Sequence, residues 1–155
     1  MNNAILNTAL QSIMFIGLAS VFILLLIPVI AARFSKSPDR PSRHMFAITD
    51  SISHSQRDVI ARTKKLLEIH NGKAQLEIVA LGNGVPLLTK GSHYHKDITT
   101  LMEKGVVFSA CQKSLDVLSG QLGRSLEILE GVKVIGDGEQ YAEYLKGQGY
   151  IDGLE

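Results

Sequence analysis

The chain holds a single cysteine, Cys111, and the residues near it are the ones whose types could do chemistry. Val106 to Ala110 is an almost wholly apolar run that reads as a strand, and a helical pattern begins at Ser114, so Cys111 falls where a strand hands over to a helix. A thiol in that position meets unpaired main-chain N–H groups and the positive end of the helix dipole, both of which favour thiolate over thiol. Lys113 would add thiolate stabilisation through its charge. Such a sulfur can attack a sulfur electrophile and keep the product as a persulfide, and it needs no second cysteine when the other thiol belongs to another protein. The competing reading is that Cys111 is small apolar filler, the commonest use of a lone cysteine. One cysteine per chain excludes an intrachain disulfide and a multi-thiolate metal site.

Three further groups stand beside the thiol. Gly82-Asn83-Gly84 follows the strand-like run Gln75 to Leu81, and its glycines could present N–H groups to an anion as a pocket loop. A bare glycine pair without a third glycine is not a dinucleotide motif, and neither Lys36-Ser37 nor Lys113-Ser114 follows the glycine that a phosphate loop requires, so no nucleotide cofactor is expected. His93-Tyr94-His95 invites a metal reading, but residues two apart diverge on a helix and no acidic or thiol cluster accompanies them, so no metal is expected. His93 or His95 is a candidate proton donor or thiolate partner if it reaches the mouth of the sheet, with His95 the first choice as donor; otherwise the pair is an exposed helix start. Ser109 and Ser114 flank the thiol without a nucleophile-elbow pattern and read as packing and capping residues.

The elements that must position these residues alternate between strand and helix. The spacing predicts a strand over His44 to Thr49 and a helix over Ser53 to Asn71, stopped by Asn71-Gly72. A strand follows over Gln75 to Leu81, then a helix from His95 to Lys104 ended by Gly105, the strand Val106 to Ala110, and a helix from Ser114 to Leu122. The run Leu126 to Leu129 is core packing or a subunit contact; Val132 to Ile135 is a strand, Gln140 to Gly147 a helix, and Gly149-Tyr150-Ile151 closes the pattern. Strands separated by helices favour crossover connections and a parallel sheet covered on both faces. The expected fold class is α/β, a three-layer domain with a mainly parallel sheet of four or five strands. In such sheets reactive groups collect at the carboxyl ends of the strands, where Cys111 and the Gly82 to Gly84 loop both fall.

Composition adds an anchor. Residues 1 to 32 carry no charged side chain, and Ile13 to Ala32 is long enough to span a hydrocarbon core of roughly 30 Å as one helix. The domain organisation is therefore a transmembrane anchor or signal-anchor over residues 1–33, a proline-containing linker over 34–43, and an α/β domain over 44–155. No basic residue precedes the apolar run, which favours an uncleaved anchor over a signal peptide, although Val29-Ile30-Ala31 would serve as a cleavage site. Arg33, Lys36, Arg40 and Arg43 follow against the one acid Asp39, which places the domain on the cytoplasmic side of a bacterial-type cytoplasmic membrane, with the periplasmic side as the alternative. From Met45 onward 12 basic residues stand against 14 acidic ones, which argues against a nucleic-acid surface. Several apolar faces on so small a domain point to a homo-oligomer.

Four segments in this order resemble the DsrE/DsrF-like family, which includes YchN-type proteins. They are Glu77 to Val85, Gly105 to Cys111, Glu130 to Ile135 and Gly147 to Tyr150, and the match runs from about His44 to Gly153. The resemblance implies a flavodoxin-like sheet, assembly into trimers or hexamers, and, at the position of Cys111, a cysteine that carries sulfane sulfur between a donor and an acceptor protein. It thus implies a sulfur carrier or sulfurtransferase held at a membrane; the alternative is a non-catalytic oligomeric binding or scaffold module with a structural cysteine. Two departures from the family pattern lie next to the thiol. Leu81 stands where relatives often have a polar residue, and Lys113-Ser114 where they often have Asn-Thr.

Overall fold

The structure is a computed structural model that describes residues 41–153. The expected membrane helix over 13–32 and most of the linker lie outside the described residues; among those described, no helix is long and apolar enough to cross a membrane. The elements are β1 (Arg43–Ile48), α1 (Ser53–Ile69), β2 (Gln75–Ala80), a 3-10 helix (Gly82–Leu88), α2 (His95–Glu103), β3 (Val107–Cys111), α3 (Gln112–Leu122), β4 (Lys133–Ile135), α4 (Gly138–Gly147) and β5 (Ile151–Asp152). All pairings are parallel, in the order β4-β3-β2-β1-β5. The flavodoxin order is 2-1-3-4-5, so the sheet is flavodoxin-like in its layers and not in its strand sequence.

The layers follow from that order. From β1 to β4 each new strand is added on the same side of the last, and connections of one hand must then pass over one face of the sheet. The return from β4 to β5 runs backward past β1 and passes over the other face. Accordingly Phe46, Ile48, Ile78, Ala80, Phe108 and Ala110 pack against α1, α2 and α3, while Met45, Val79, Leu81, Cys111 and Ile135 pack against Ala142 and Leu145 of α4, with Tyr150 after it. One helix does not cover five strands, and Val107 on that face is 42% exposed.

Beneath α4 the sheet carries a polar seam. The Ser109 hydroxyl donates to the buried Glu77 carboxylate at 2.7 Å, and Lys133 donates to the Tyr141 hydroxyl at 2.7 Å with its ammonium 4.4 Å from the ring centre. Burial, together with the neighbouring Glu77 carboxylate, raises the Tyr141 hydroxyl above its ordinary value.

Boundaries agree closely with the apolar pattern, with instructive exceptions. Helix α1 ends as its breaker requires, with Asn71 and Gly72 both at positive φ. The segment expected as a loop at Gly82 to Gly84 is the start of the 3-10 helix, which runs on through Pro86 to Leu88. Leu126 to Leu129 is core packing: Ile128 bridges Thr89, and the Leu129 N–H donates to the Leu88 carbonyl at 2.9 Å.

Gly84 is fixed by a close approach. A side-chain carbon there would strike the Ile48 carbonyl, whose oxygen already accepts from the Leu81 N–H at 2.8 Å. Gly84→Ala should therefore push the pocket loop off the end of β1 and destabilise the domain by about 1–3 kcal/mol, read from urea midpoints at unchanged slope.

Candidate functional site

Alternation along β3 puts Val107, Ser109 and Cys111 on the face that α4 covers. Strand β3 sends its helix, α3, to one face and the neighbouring β4 sends α4 to the other, and the crevice between two such strands is where open α/β sheets bind ligands. Cys111 ends β3 inside that crevice and is itself the extended residue that precedes the first turn of α3. Opposite it, Gly136-Asp137-Gly138 joins β4 to α4.

Donors converge on the sulfur from both helices. The Gly138 N–H, in the first turn of α4, points at Sγ over 3.4 Å, and the Gly136 carbonyl lies 4.0 Å away as the acceptor for a protonated thiol. Burial is the largest single influence on Cys111 and pushes the thiol up; against it, the Ser114 hydroxyl and the main-chain N–H groups of Ser114, Gly138 and Lys113 together hold it below its ordinary value. Ser114 also accepts from the Gly82 N–H at 2.8 Å. One hydroxyl thus ties the pocket loop to the sulfur.

Lys113 pairs first with Asp137. Its side chain is 71% exposed and its ammonium bonds the Asp137 carboxylate at 2.5 Å, within electrostatic reach of Cys111. Its nearest help to the thiolate is its main-chain N–H. Asp137 in turn caps α4, accepting from the Glu139 and Gln140 N–H groups at 3.0 and 3.1 Å. The Lys113–Asp137 pair therefore bridges the two helix starts on either side of the sulfur.

Access is narrow. Cys111 is only 4% exposed, packed among Leu81, Ile135 and Ala142. A methyl group at Gly138 would strike the Leu81 side chain and crowd the Cys111 Cβ at 3.1 Å, so glycine is required for α4 to start this close. Beside the crevice lies a cleft of about 250 Å3 lined by Gly82, Asn83, Lys113, Ser114, Val117 and Gln121, with the Ser114 hydroxyl between it and the sulfur.

Of the residues expected at the site, Gly84 lies against the Ile48 carbonyl at the end of β1, while Cys111, Lys113, Gly82 and Asn83 share this corner of the sheet. His95 does not: it opens α2, whose buried face packs in the three-helix layer across the sheet from Cys111, and its carbonyl accepts from Thr99 at 3.0 Å. No hydrogen bond or ion pair connects it to the thiol among the described residues. The side chain that hydrogen-bonds the sulfur is the Ser114 hydroxyl. Gly136-Asp137-Gly138, absent from the sequence reading, supplies the second helix start; its signal was an N-capping aspartate after a strand.

No family model matches the chain, and no curated protein matches it. Solved structures do. A protein of unknown function, MTH1491 from Methanobacterium thermoautotrophicum, is 26% identical, with 72% of this chain and 96% of that one aligned at a TM-score of 0.65. The YchN protein of Escherichia coli is 15% identical over 71% of this chain and 96% of its own, at a TM-score of 0.50. The chain has the α/β fold of YchN, the fold that the segments around Leu81 and Cys111 led us to expect.

Two outcomes follow for the site. Ser114→Ala removes a charge-assisted hydrogen bond to the thiolate, which is worth roughly 1.5 kcal/mol or more, so alkylation of Cys111 by iodoacetamide near neutral pH should slow about tenfold and its pH profile move upward. Asp137 sits below its ordinary carboxylate value because of Lys113 first and the helix N–H groups next. Its contribution to stability is complete above the unfolded value near 3.8 and is lost as pH falls through the lower, folded one. Asp137→Asn, which keeps an oxygen for the cap, should flatten the acid limb of urea stability measured below about pH 4.

Proposed function

We propose that this protein is a sulfur carrier of the sulfane type, with Cys111 as the persulfide-bearing residue and a second protein as donor or acceptor. The observation that carries the reading is the convergence of two helix starts and the Ser114 hydroxyl on one thiol at the switch point of the sheet. In the first step the Cys111 thiolate attacks the outer sulfur of a donor persulfide. An S–S bond forms at Sγ, the donor's own S–S bond breaks, and the donor thiolate leaves with the electron pair. In the second step an acceptor thiolate attacks the outer sulfur and Cys111 leaves as thiolate, with no net oxidation or reduction. Donors that lower the thiol also suit the extra negative sulfur of a persulfide. Leu81 and the Gly138 turn cover the sulfur, so exchange includes a displacement of that cover.

In the same reading residues 13–32 anchor the domain at a membrane, and copies of the domain assemble into a homo-oligomer, trimer or hexamer. The half-open sheet face around Val107 supports a subunit contact, because parallel sheets are ordinarily covered on both sides.

The low exposure of Cys111 favours one second reading, a non-catalytic oligomeric binding module in which the cysteine is packing. Incubating the purified full chain with a low-molecular-weight persulfide donor and measuring intact mass separates the two. The carrier gains one sulfur atom on Cys111, released by dithiothreitol and absent from Cys111→Ser. A chain that stays unmodified while Cys111→Ser retains full cellular function is the binding module.

A further inference from the structure

We propose that the pole of the domain at which the chain enters β1 docks on an anionic lipid surface, through the cleft between α1 and β5. This rests on the membrane-anchor reading above and adds to it which side of the domain meets the bilayer.

The described residues begin at Pro41, and β1 starts two residues later, at the amino-terminal edge of the sheet. Next to that edge is a cleft of about 510 Å3 lined by His44, Arg62, Lys65, Ile69 and Ile151 among others. Ile69 and Ile151 are 60% and 59% exposed, large aliphatic side chains held out at one place on a small domain. Arg62 reaches the Gly153 carbonyl at 3.2 Å, and Lys65 has no ion pair among the described residues. Arg43 and Lys73, which open β1 and precede β2, add two more cations at the same edge, against the acids Glu68 and Asp152. The Nε2 atom of His44 and the Ser42 hydroxyl are buried there without a partner.

Paired exposed aliphatics within a basic rim are the signature of a surface that lies on anionic headgroups, with the isoleucines entering the acyl boundary and the cations at the phosphates. The sequence sharpens the match: Arg33, Lys36 and Arg40 continue the basic character just before the described residues. A protein partner of the same chemistry would be acidic and apolar, but a tether of about ten residues holds this edge near the bilayer at high effective concentration.

Cys111 lies at the other pole. It is level with the residue after Ile48 in the register of the sheet, five residues beyond His44, or roughly 16 Å along the strands. Docking by the α1–β5 edge therefore holds the thiol toward the aqueous phase, where soluble donors and acceptors reach it.

The test uses the full chain with Cys111→Ser, reconstituted in nanodiscs of phosphatidylcholine alone or with phosphatidylglycerol. Bimane is attached at Ile151→Cys or, at the opposite pole, at Ile52→Cys, and quenched by lipid-borne nitroxide. Docking gives several-fold stronger quenching at 151 than at 52 in the anionic discs, reduced to the level of 52 by Arg62→Glu with Lys65→Glu. Equal quenching at the two positions, or none at 151 in a chain that has inserted, overturns the docking and leaves the anchor standing. A chain that does not enter either disc overturns both.

Discussion

The connection that leaves β4 runs backward over the sheet to reach the far side of β1, and the site exists because of it. Had β5 been added beyond β4, α4 would have joined α1, α2 and α3 on one face, and Cys111 would have met a single helix start. The reversal brings a second helix over the opposite face and starts it, at Gly138, against the end of β3. Two sets of unpaired N–H groups then share one acceptor. Neither set is special by itself, since every helix begins with such groups; their meeting at one sulfur is a property of topology.

Around that sulfur two effects oppose each other. Leu81, Ile135 and Ala142 strip water from the thiol and penalise its charge, while Ser114, Gly138 and Lys113 supply hydrogen bonds that favour it. The donors prevail by number, and they point from backbone and from a hydroxyl tied to Gly82, so little ordering is needed when charge appears. The Leu81 side chain, packed beside Cys111 and against Gly138, closes the crevice. A polar side chain there would leave the sulfur wetter and more open.

Much of this was legible in the sequence where the information is local. Apolar runs bounded by Asn71-Gly72 and Gly105 mark α1, β2 and β3, and Cys111 at a strand end needs only the apolar pattern and one breaker. The apolar pattern starts α3 two residues late, at Ser114, because Cys111 makes no side-chain cap to announce it. The pattern starts α4 late as well, at Gln140, because Gly138 reads as a breaker in the absence of its close approach to Leu81, between residues 57 positions apart. His95 failed for a related reason: periodicity puts it at a helix start, but which face of the sheet receives that helix depends on the order of all five strands. Ser114 was read as a cap, and its bond to Gly82 across 32 positions has no local signature.

The uneven layering has a dynamic consequence. Three helices and the strand face beneath them share one continuous apolar cluster, whereas α4 buries only Gly138, Ala142 and Leu145, with Tyr141 half-buried beside them, and otherwise rests on the polar seam of Glu77, Ser109 and Lys133. Elements with few buried apolar contacts detach at a lower free energy than the global unfolding of their domain. In the hierarchy of partial openings α4 belongs near the bottom, and the cover over Cys111 is its first turn. Amide hydrogens of α4 thus report how often the sulfur is uncovered while the main core stays closed.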